Sequence, residues 1–341
     1  MLYVHRISFR MSNDQNRIPM PVFPEVQMNL VNPKEPVTAK VVKSEICLRG
    51  GRKSAGFVRH VEIDITGTPL EGNYQAGQSF GIVAPGLDEE GKPHKVRLYS
   101  LACPSWGEDG EGKIISTTPK RVIDEYQPQN EGDDPDRHEL FLGVCSNYIC
   151  NLKVGDEVQV TGPSGKRFLI PKEPDKHDYI FMATGTGIAP FRSMCKELFE
   201  NPNGPTSSEV HLIMGVPYST DLLYDDFFIE LSSKYENFHY HIAVSRDRQP
   251  DGSKGLYVGQ LLEQKYNELF GPLLSSDRGL MYICGLVGMQ FNVYQLFADK
   301  EIAERYMTIN DELKDVPFLE WTQEQMKRYI KPNHRFMVEV Y

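Results

Sequence analysis

The chain has 341 residues, of which 40% are hydrophobic and 25% are charged, and its formal net charge is −10. This length exceeds one typical domain core and suits two domains, and the composition is that of an ordinary globular protein. The acidic balance argues against nucleic acid as a partner, which would require a basic face. No run approaches the roughly 18 apolar residues of a membrane span, so we expect no integral membrane segment.

Residues 1–36 are rich in proline, asparagine and other polar groups, and they predict a flexible N-terminal arm. Three arginines lie in its first half without a continuous apolar stretch, so the segment is not a secretory signal. We expect a cytoplasmic protein of bacterial type. If the arm is a transit-peptide remnant, the plastid stroma is the alternative compartment.

The six cysteines show no zinc-type pairing, and we expect reduced thiols and no metal site. Cys145 and Cys150 have the spacing that begins a plant-type iron–sulfur ligand run. Position 153, where the next cysteine belongs, is lysine. The sequence therefore does not predict a cluster.

Short alternating or β-branched runs, separated by Gly, Pro and Asp, fill residues 37–171. Such spacing predicts a small antiparallel β-barrel domain. The predicted strands are 39–48, 57–65, 78–84, 95–102, 113–117, 139–145 and 157–161. The acidic segment 124–137 has no apolar period and predicts a solvent loop.

Strands and helices alternate over residues 172–341, which predicts an α/β domain with a parallel sheet. Ligands of such sheets bind at the carboxyl ends of the strands. The predicted strands are 179–183, 210–215, 239–244 and 280–284, and the predicted helices are 190–200, 224–234, 258–270 and 288–303. The alternating end of the chain, 336–341, predicts a last strand with Glu339 and Tyr341 on one face.

A glycine turn with the sequence ATGTG at 183–187 follows the strand at 179–182 and leads to Pro190 in the first turn of the next helix. The glycines allow close backbone approach, and a helix N-terminus favours a pyrophosphate. The turn lacks the third glycine of the usual dinucleotide fingerprint and the ending of a P-loop. Taken alone, it is equally compatible with a structural turn.

Two motifs of the barrel part suit a flat ligand that carries phosphate. In RLYS at 97–100, Arg97 and Tyr99 share one face of the strand. The guanidinium suits a phosphate, the ring suits a flat group, and the Ser100 hydroxyl can bond a ring nitrogen. GVCSNY at 143–148 is a strand end whose Ser and Asn can open a short helix. An exposed edge strand and a simple helix cap are the alternatives.

Further motifs lie at the carboxyl ends of predicted strands in the α/β part, where ligands of such sheets bind. Val216 and Pro217 follow one strand, and Cys284 ends another, where an inert buried thiol is the alternative. Ser245 and Arg246 suit the extra phosphate of NADP, whereas the neighbouring Asp247 would suit the ribose of NAD. A solvated charged loop is the alternative there.

In this order the motifs resemble those of the plant-type, plastid-like ferredoxin–NADP(+) reductases. The matching segments are RLYS at 97–100, GVCSNYIC at 143–150, LKVGDEVQVTGPSGK at 152–166, ATGTGIAPFRS at 183–193, GVPYSTDLLY at 215–224, AVSR at 243–246, YICGLVGM at 282–289 and VEVY at 338–341. The resemblance spans about residues 37–341. It implies an antiparallel FAD-binding β-barrel domain over 37–171, followed by a Rossmann-like NADP(H)-binding α/β domain with a parallel sheet over 172–341.

The resemblance also implies residue roles. Flavin contacts are implied for Arg97, Leu98, Tyr99, Ser100, Lys120, Gly143, Val144, Cys145 and Ser146. NADP contacts are implied for Val216, Pro217, Ser245, Arg246, Tyr257, Gly285 and Leu286, and Thr186 serves both nucleotides. Implied catalytic residues are Ser100 near the flavin, Cys284 at the nicotinamide, Glu339 as a tuning or proton-route group, and Tyr341 as a ring that stacks on the flavin and yields to nicotinamide.

The chain departs from this pattern at the adenine end of FAD. The stacking tyrosine of the family is expected four residues after Lys120, where this chain has Asp124, and Tyr126 is the candidate substitute. How the FAD adenine is held is therefore open at this stage.

Two further departures lie in the α/β part. The family's lysine two residues before Tyr257 is replaced by glycine, and Lys254 or Arg248 is the candidate replacement. The region 291–333 is longer than usual and adds an acidic helical stretch.

The implied function is FAD-dependent electron transfer between ferredoxin and NADP(H), by a monomer or weak oligomer. The partner is ferredoxin, with flavodoxin as an alternative, and no nucleic acid is expected. Two other functions remain open. One is an NADPH-dependent reductase that feeds flavodoxin or an oxygenase, and the other is a flavin subunit that is active only within a larger complex.

Overall fold

A computed structural model describes residues 20–50, 57–125, 134, 139–248 and 252–341. In these residues the chain forms a six-stranded antiparallel sheet and a five-stranded parallel sheet. One hydrophobic core fills the antiparallel part, and one lies on each face of the parallel sheet. The predicted order, a β part followed by an α/β part, is confirmed. In the described ranges no helix is long and apolar enough to cross a membrane.

The antiparallel sheet is a barrel. Its strands are β1 (Val37–Ile46), β2 (Arg59–Asp64), β3 (Ser79–Val83), β4 (Arg97–Ser100), β5 (Ile114–Thr117) and β8 (Glu157–Ser164), in the order β4-β3-β8-β1-β2-β5. The edge strands β4 and β5 are joined where the N–H of Ala102 donates to the Ser116 carbonyl (2.8 Å) and the Thr117 hydroxyl donates to the Ser100 carbonyl (2.8 Å). Alternate side chains such as Val61 and Ile63 fill the interior.

The predicted strand 139–145 is wrong in its second half. Two short strands, β6 (Ile123–Glu125) and β7 (Leu140–Leu142), form a hairpin that is a separate sheet from the barrel. After β7, Gly143 caps helix α1 (Val144–Asn151). The alternation of apolar residues continues past Leu142, but the Ser146 hydroxyl and the Asn147 amide both donate to the Gly143 carbonyl (3.0 and 2.9 Å), which favours the helix. Of the predicted loop 124–137, only residues 124, 125 and 134 are described.

The parallel sheet consists of β9 (Asp178–Thr184), β10 (Val210–Val216), β11 (Phe238–Val244), β12 (Gly279–Gly285) and β15 (Phe336–Val340). The order is β11-β10-β9-β12-β15, so the direction of strand addition reverses between β9 and β12. All five strands were predicted to within one or two residues. The reversal places a crevice at the carboxyl ends of β9 and β12, where sheets of this type bind ligands.

Helices and a small two-stranded antiparallel sheet surround this sheet. They are α2 (Ala189–Phe199), α3 (Asp225–Lys234), α4 (Val258–Gln264), α5 (Gly271–Ser275), α6 (Val287–Asp299), α7 (Ala303–Tyr306), α8 (Asp311–Lys314) and α9 (Gln323–Tyr329), with β13 (Met307–Ile309) paired to β14 (Ile330–Pro332). The helix predicted over 258–270 is interrupted after Gln264, and a π-helical turn spans Tyr266–Phe270. The helix predicted over 288–303 ends at Asp299, because Glu301 adopts a positive φ of 57°.

The arm predicted over residues 1–36 is described from residue 20, and this part packs on the body of the protein. Val31 is buried, and its N–H and carbonyl both bond Gly162 of β8 (2.9 and 3.0 Å). The Val22 carbonyl accepts from the N–H of Lys172 (2.9 Å). Residues 20–36 are therefore a docked segment. Residues 1–19 lie outside the described part, and the predicted domain boundary at 171/172 falls between β8 and β9.

Candidate active site

Two large cavities open at the crevice between the barrel and the carboxyl ends of the parallel strands. We call them the barrel cavity, of about 630 Å³, and the sheet cavity, of about 720 Å³. β4 and α1 line the first, and the ends of β10, β11 and β12 line the second. Lys120, Thr186 and Tyr341 line both cavities and therefore stand where the two meet.

Strand β4 presents all four of its side chains to the barrel cavity. Arg97 and Leu98 are exposed, and the Arg97 guanidinium has no hydrogen bond or ion pair with any residue that the structure describes. Tyr99 is half-buried against the Cys145 thiol, and burial raises the pKa of its phenol. The half-buried Ser100 has a hydroxyl without a partner in the described ranges.

Helix α1 turns its N-terminus toward the same cavity. A Cβ on the capping residue Gly143 would lie 2.6 Å from the Ser146 oxygen and 2.9 Å from Val122 Cβ, so glycine is needed for this close approach. Ser146 itself accepts from the Val122 N–H (3.2 Å), which ties the helix start to the barrel. The first turn contains no acidic residue, and its N–H groups have no intrahelical partner. Such a helix end favours a phosphate.

The predicted glycine turn touches the end of β12. It forms a 3₁₀ turn at Gly185–Ile188, and a Cβ on Gly187 would lie only 2.2 Å from the Cys284 carbonyl oxygen. Gly285 has φ of 129°, and a Cβ there would lie 2.3 Å from the Thr184 hydroxyl. Glycine is therefore required on both sides of this contact. The contact fixes Thr186 between the two cavities.

The terminal residue is held in place by three hydrogen bonds. The N–H of Tyr341 donates to the Gly285 carbonyl (2.9 Å), and its own carbonyl accepts from the Val287 N–H (3.4 Å). Its phenol oxygen lies 2.7 Å from the Thr186 hydroxyl. The backbone is thus anchored to β12 while the residue stays 67% exposed at the junction of the cavities. Such a ring is placed to cover a flat group.

Cys284 lines the barrel cavity directly beside this junction. The thiol is buried, and burial raises its pKa, so it is present as a neutral group. The alternative stated from the sequence was that Cys284 is an inert buried thiol. That alternative agrees with the neutral thiol, but it does not account for the position of Cys284 in the cavity lining.

Glu339 does not line either cavity. It pairs with Cys284 across β12 and β15 and lines a third cavity, of about 700 Å³, together with Lys166, Arg167 and His334. Burial raises the pKa of the Glu339 carboxyl to about 7. The structure therefore places it on the strand next to the thiol, and its proposed role as a tuning or proton-route group stays a prediction.

The sheet cavity contains most of the predicted NADP residues, namely Val216, Pro217, Ser245, Tyr257 and Leu286. Arg246 and Gly285 do not line it. Gly285 acts through its backbone, as described above. Arg246 is exposed beside Ser245, its N–H donates to the Pro217 carbonyl (2.8 Å), and its guanidinium has no partner among the described residues.

The carboxylate of Asp247, which would suit the ribose of NAD, is hydrogen-bonded to another residue of the protein. It accepts from the N–H and the hydroxyl of Ser219 (2.9 and 3.0 Å). Its Oδ2 is therefore already hydrogen-bonded within the protein, which weakens the argument for NAD. Of the two candidate replacements for the missing lysine, Arg248 donates to the Gly252 carbonyl (3.1 Å) and Lys254 is exposed.

Two groups of metal-ligating residue types occur in the described part of the chain, Glu209 with His211 and His239, and His60 with Glu62 and Glu108. Neither group lines either cavity. The expectation that the protein has no metal site stays a prediction.

Comparison with known proteins identifies the family. Residues 181–295 match the family model described as the oxidoreductase NAD-binding domain. The chain is 38% identical over 322 residues to the ferredoxin–NADP reductase of Picosynechococcus sp., covering 93% of this chain and 72% of that protein. The chain belongs to the ferredoxin–NADP reductase family. The resemblance stated from the sequence is confirmed.

Other members of the family include a plant relative and a solved structure. The root isozyme 1 of Arabidopsis thaliana, a chloroplastic ferredoxin–NADP reductase, is 39% identical over 286 residues, covering 82% of this chain and 72% of that protein. The ferredoxin–NADP+ reductase of Plasmodium falciparum has the same fold, with a TM-score of 0.64 at 24% identity over 92% of this chain and 99% of that chain. The family fold of a barrel and a parallel sheet is thus present here.

One residue that sequence reasoning missed lies at the point where the chain departs from its family. Phe141 lines the barrel cavity, is 58% exposed, and pairs directly with Asp124 across β6 and β7. Asp124 occupies the position at which the family's stacking tyrosine was expected. An aromatic side chain thus lines the cavity from the strand that pairs with β6. Tyr126, the substitute named from the sequence, lies outside the described residues.

Proposed function

We propose that this protein transfers electrons between ferredoxin, one at a time, and NADP(H), as a hydride, with FAD as its resident cofactor. The observation that carries this proposal is the pair of nucleotide-sized cavities that meet at Lys120, Thr186 and Tyr341. A flavin and a nicotinamide react only when their rings are brought together, and this junction is where two such rings would meet.

The residues of the barrel cavity fit FAD. Arg97 offers an unpaired cation, and the N-terminus of α1 offers N–H groups; both suit a pyrophosphate. Tyr99 offers a flat face, and Ser100 offers a hydroxyl that no described residue uses. The remaining proposed contacts are Leu98, Lys120, Gly143, Val144, Cys145 and Ser146, all of which line the cavity. When bound, FAD supplies the coupling of one-electron and hydride chemistry.

The residues of the sheet cavity fit NADP(H). Val216, Pro217 and Leu286 line the path of the dinucleotide, and Tyr257 offers an exposed ring at its far end. Ser245 and Arg246 supply a hydroxyl and a guanidinium for the 2′-phosphate. We propose residues 37–171 as the FAD-binding domain and residues 172–341 as the NADP(H)-binding domain.

In this proposal the side chains where the two cavities meet control the access of nicotinamide to the flavin. Tyr341 covers the face on which nicotinamide must stack and moves aside for it, since the exposed ring has a single hydrogen bond to the described part of the chain, the one to Thr186. Cys284 packs as a neutral thiol beside the reacting rings. Glu339, with a pKa of about 7, can hold or release a proton near neutrality and acts from the neighbouring strand.

Replacing Tyr341 with serine is expected to tighten NADP+ binding about tenfold, because an aromatic stack of about 0.5–1.5 kcal/mol no longer competes with nicotinamide. The preference for NADPH over NADH should fall, since the nicotinamide end then contributes more of the affinity. Calorimetric titration of the FAD-loaded protein with NADP+ measures the first effect. Tyr341→Phe keeps the ring and loses only the bond to Thr186, so it should bind NADP+ like the wild type. Unchanged affinity in the serine variant would mean that the ring is structural.

Replacing Phe141 with alanine is expected to weaken FAD binding about tenfold, because the adenine loses an aromatic surface worth about 1–3 kcal/mol. FAD release can be followed by the rise in flavin fluorescence on dilution. Leu140→Ala is the matched control, since Leu140 is 68% exposed on the adjacent position of β7 and does not line the cavity. Equal FAD affinity in the two variants would exclude Phe141 from the adenine site.

The names of the relatives support a proposal for the partner and the compartment. Its members named above include a cyanobacterial and a chloroplastic protein, each called a ferredoxin–NADP reductase. We propose ferredoxin as the partner, with flavodoxin as the alternative, and a bacterial cytoplasm, with the plastid stroma as the alternative. We further propose a monomer or weak oligomer, which sedimentation of the purified protein would test.

The deciding experiment is anaerobic stopped-flow mixing of the purified protein with reduced ferredoxins and flavodoxins, followed by NADP+. Rapid electron transfer from ferredoxin to NADP+ supports the proposal. Transfer with flavodoxin alone would favour the alternative reductase. Absence of any NADPH-dependent dye reduction by the isolated FAD-loaded chain would favour a subunit that acts only in a complex. Equal use of NADH and NADPH would contradict the assignment of Ser245 and Arg246.

A further inference from the structure

A group of ionisable side chains that the proposed function does not use lies at the amino ends of β10 and β11. His211 is the second residue of β10, and His239 and His241 are the second and fourth residues of β11. His211 pairs with His239, and their rings are stacked with centroids 4.3 Å apart. Glu209 comes directly before β10, and its carboxylate bonds His239. We call these four residues the histidine cluster, and the sequence motifs assign none of them a role.

Three members of the histidine cluster present ligand atoms close to one another. One ring nitrogen of His211, one of His239 and one carboxylate oxygen of Glu209 all lie within 4.8 Å of one another. Nε2 of His239 is 2.9 Å from Oε2 of Glu209. Two ligands of a tetrahedral zinc ion are about 3.3 Å apart, because each lies roughly 2.0–2.1 Å from the metal. The side chains of His239 and Glu209 are 38% and 48% exposed, so they have room to adjust to this spacing.

The fourth member, His241, is placed to orient the ring of His211. Nδ1 of His211 is 3.1 Å from Nε2 of His241, and the planes of the two rings differ by 5°. When Nδ1 of His211 donates this hydrogen bond, Nε2 keeps the lone pair that a metal ligand needs. Nε2 of His211 has no hydrogen bond to any residue in the described ranges. An outer hydrogen bond on the second ring nitrogen is typical of histidine ligands.

The surroundings of the histidine cluster favour a bound ion over simple packing. The ring of Phe270 packs nearly perpendicular to His211 and His241, with centroids 5.7 and 5.5 Å away, and His211 is 2% exposed. Leucine or valine would fill this buried position at lower cost, because a buried imidazole must be hydrogen-bonded. Lys265 brings a positive charge near His211 and His241, and the Glu209 carboxylate brings the opposite charge.

We propose that His211, His239 and Glu209 bind a Zn²⁺ ion. His241 is then the outer partner that orients His211. Imidazole nitrogens and a carboxylate suit zinc, whereas Ca²⁺ and Mg²⁺ prefer ligand sets made of oxygen. The expectation of no metal site came from the spacing of the cysteines, and it did not consider these histidines.

The proposed zinc site is structural and independent of the proposed function. It joins β11, an edge strand, to β10. The site lies at the amino ends of the strands, whereas the sheet cavity lies at their carboxyl ends. The five residues from His211 to Val216 span about 16 Å along β10. Zinc has no redox chemistry, so the ion takes no part in electron transfer.

Calorimetric titration of the purified, chelator-treated protein with zinc chloride tests the ligands. The wild type should bind one ion. His239→Gln and Glu209→Gln should each weaken binding by about 100-fold or more, since the loss of an outer partner alone costs about 10- to 100-fold. His241→Phe removes only the outer partner and should weaken binding by about 10- to 100-fold. His334→Gln is the matched control, because His334 is exposed and precedes β15 at the opposite edge of the sheet.

Thermal unfolding followed by circular dichroism gives a second measurement. At a free zinc concentration about 100 times the Kd, the melting temperature of the wild type should rise by about 5–10 °C. The melting temperature of His239→Gln should not rise at that concentration, and Ca²⁺ or Mg²⁺ should not raise that of the wild type. Without zinc, the variants should have the spectrum of the wild type, since His239 and Glu209 are partly exposed.

Three results would overturn the inference. The first is a wild type that does not bind zinc. The second is unchanged zinc affinity in both His239→Gln and Glu209→Gln, which would place the ion elsewhere. The third is an equal rise in melting temperature with Ca²⁺ or Mg²⁺, which would mean that the effect does not depend on imidazole ligands. None of these results bears on the exchange of electrons with NADP(H), so the proposed function is tested separately.

Discussion

Replacing Ser100 with valine is expected to leave FAD bound and to slow its reduction by NADPH about 100-fold, the usual cost of losing one preorganised donor at a reacting group. The hydroxyl lines the barrel cavity together with Cys284 and Tyr341 and has no partner among the described residues. Valine has a similar shape and cannot donate. FAD should remain because Arg97 and Tyr99 are unchanged.

Backbone contacts hold the strand at Ser100, so the effect of the lost hydroxyl can be separated from a displacement of the strand. Ser100 pairs with Ser79 of β3, and its carbonyl accepts from the Thr117 hydroxyl (2.8 Å), so the substitution should not move the strand. Single-turnover stopped-flow measurement of flavin absorbance gives the rate, and absorbance of the purified protein gives the FAD content. Ser100→Thr keeps the hydroxyl and should retain the rate within a few-fold. A valine variant as fast as the wild type would refute the role of Ser100.

The core of the parallel sheet was predictable because its three central strands, β9, β10 and β12, are buried on both faces. Every residue from Asp178 to Ala183 and from Val210 to Val216 is buried, and such strands appear in a sequence as continuous apolar runs. The glycines of the nucleotide turn were predictable for a related reason. Gly187 and Gly285 stand where backbone touches backbone, and no other residue fits.

Two details of the structure could not be predicted from the apolar pattern. Alternation correctly placed Glu339 on the same face as Met337, but it does not say what lies opposite that face. The structure shows that Lys166 and Arg167 line the same cavity as the Glu339 carboxyl. The strand predicted through Cys145 failed because local side-chain bonds to the Gly143 carbonyl outweighed the apolar period.

For two groups of cavity-lining residues, the neighbouring sequence contains no pattern that predicts their position. Phe141 acquires its position by pairing with Asp124 across a hairpin. The sheet cavity is lined by Asn292 and Gln295 of α6 together with Gln323 and Met326 of α9, about 30 positions later in the chain. A motif read along the chain cannot join such residues, because the contact is created by packing of the two helices.

We propose that the specificity for NADP(H) depends on the loop that follows β11. Arg246 is exposed and unpaired among the described residues, and its N–H is fixed to the Pro217 carbonyl (2.8 Å). Asp247, the residue that would favour NAD, is held by Ser219. In this proposal the Arg246 guanidinium of the loop is the group that binds the 2′-phosphate.

Replacing Arg246 with alanine is expected to lower kcat/KM for NADPH about 100-fold, since a charge-assisted bond to phosphate contributes about 1.5–3 kcal/mol. The value for NADH should stay nearly constant, because NADH has no 2′-phosphate, and this makes NADH the internal control. The advantage of NADPH in the wild type should also decrease with added salt, which screens an exposed ion pair. Arg248→Ala serves as the comparison, since Arg248 already donates to the Gly252 carbonyl. If Arg248→Ala loses the preference and Arg246→Ala keeps it, the phosphate lies further along the loop than Ser245 and Arg246, and the lysine missing before Tyr257 has been replaced by Arg248.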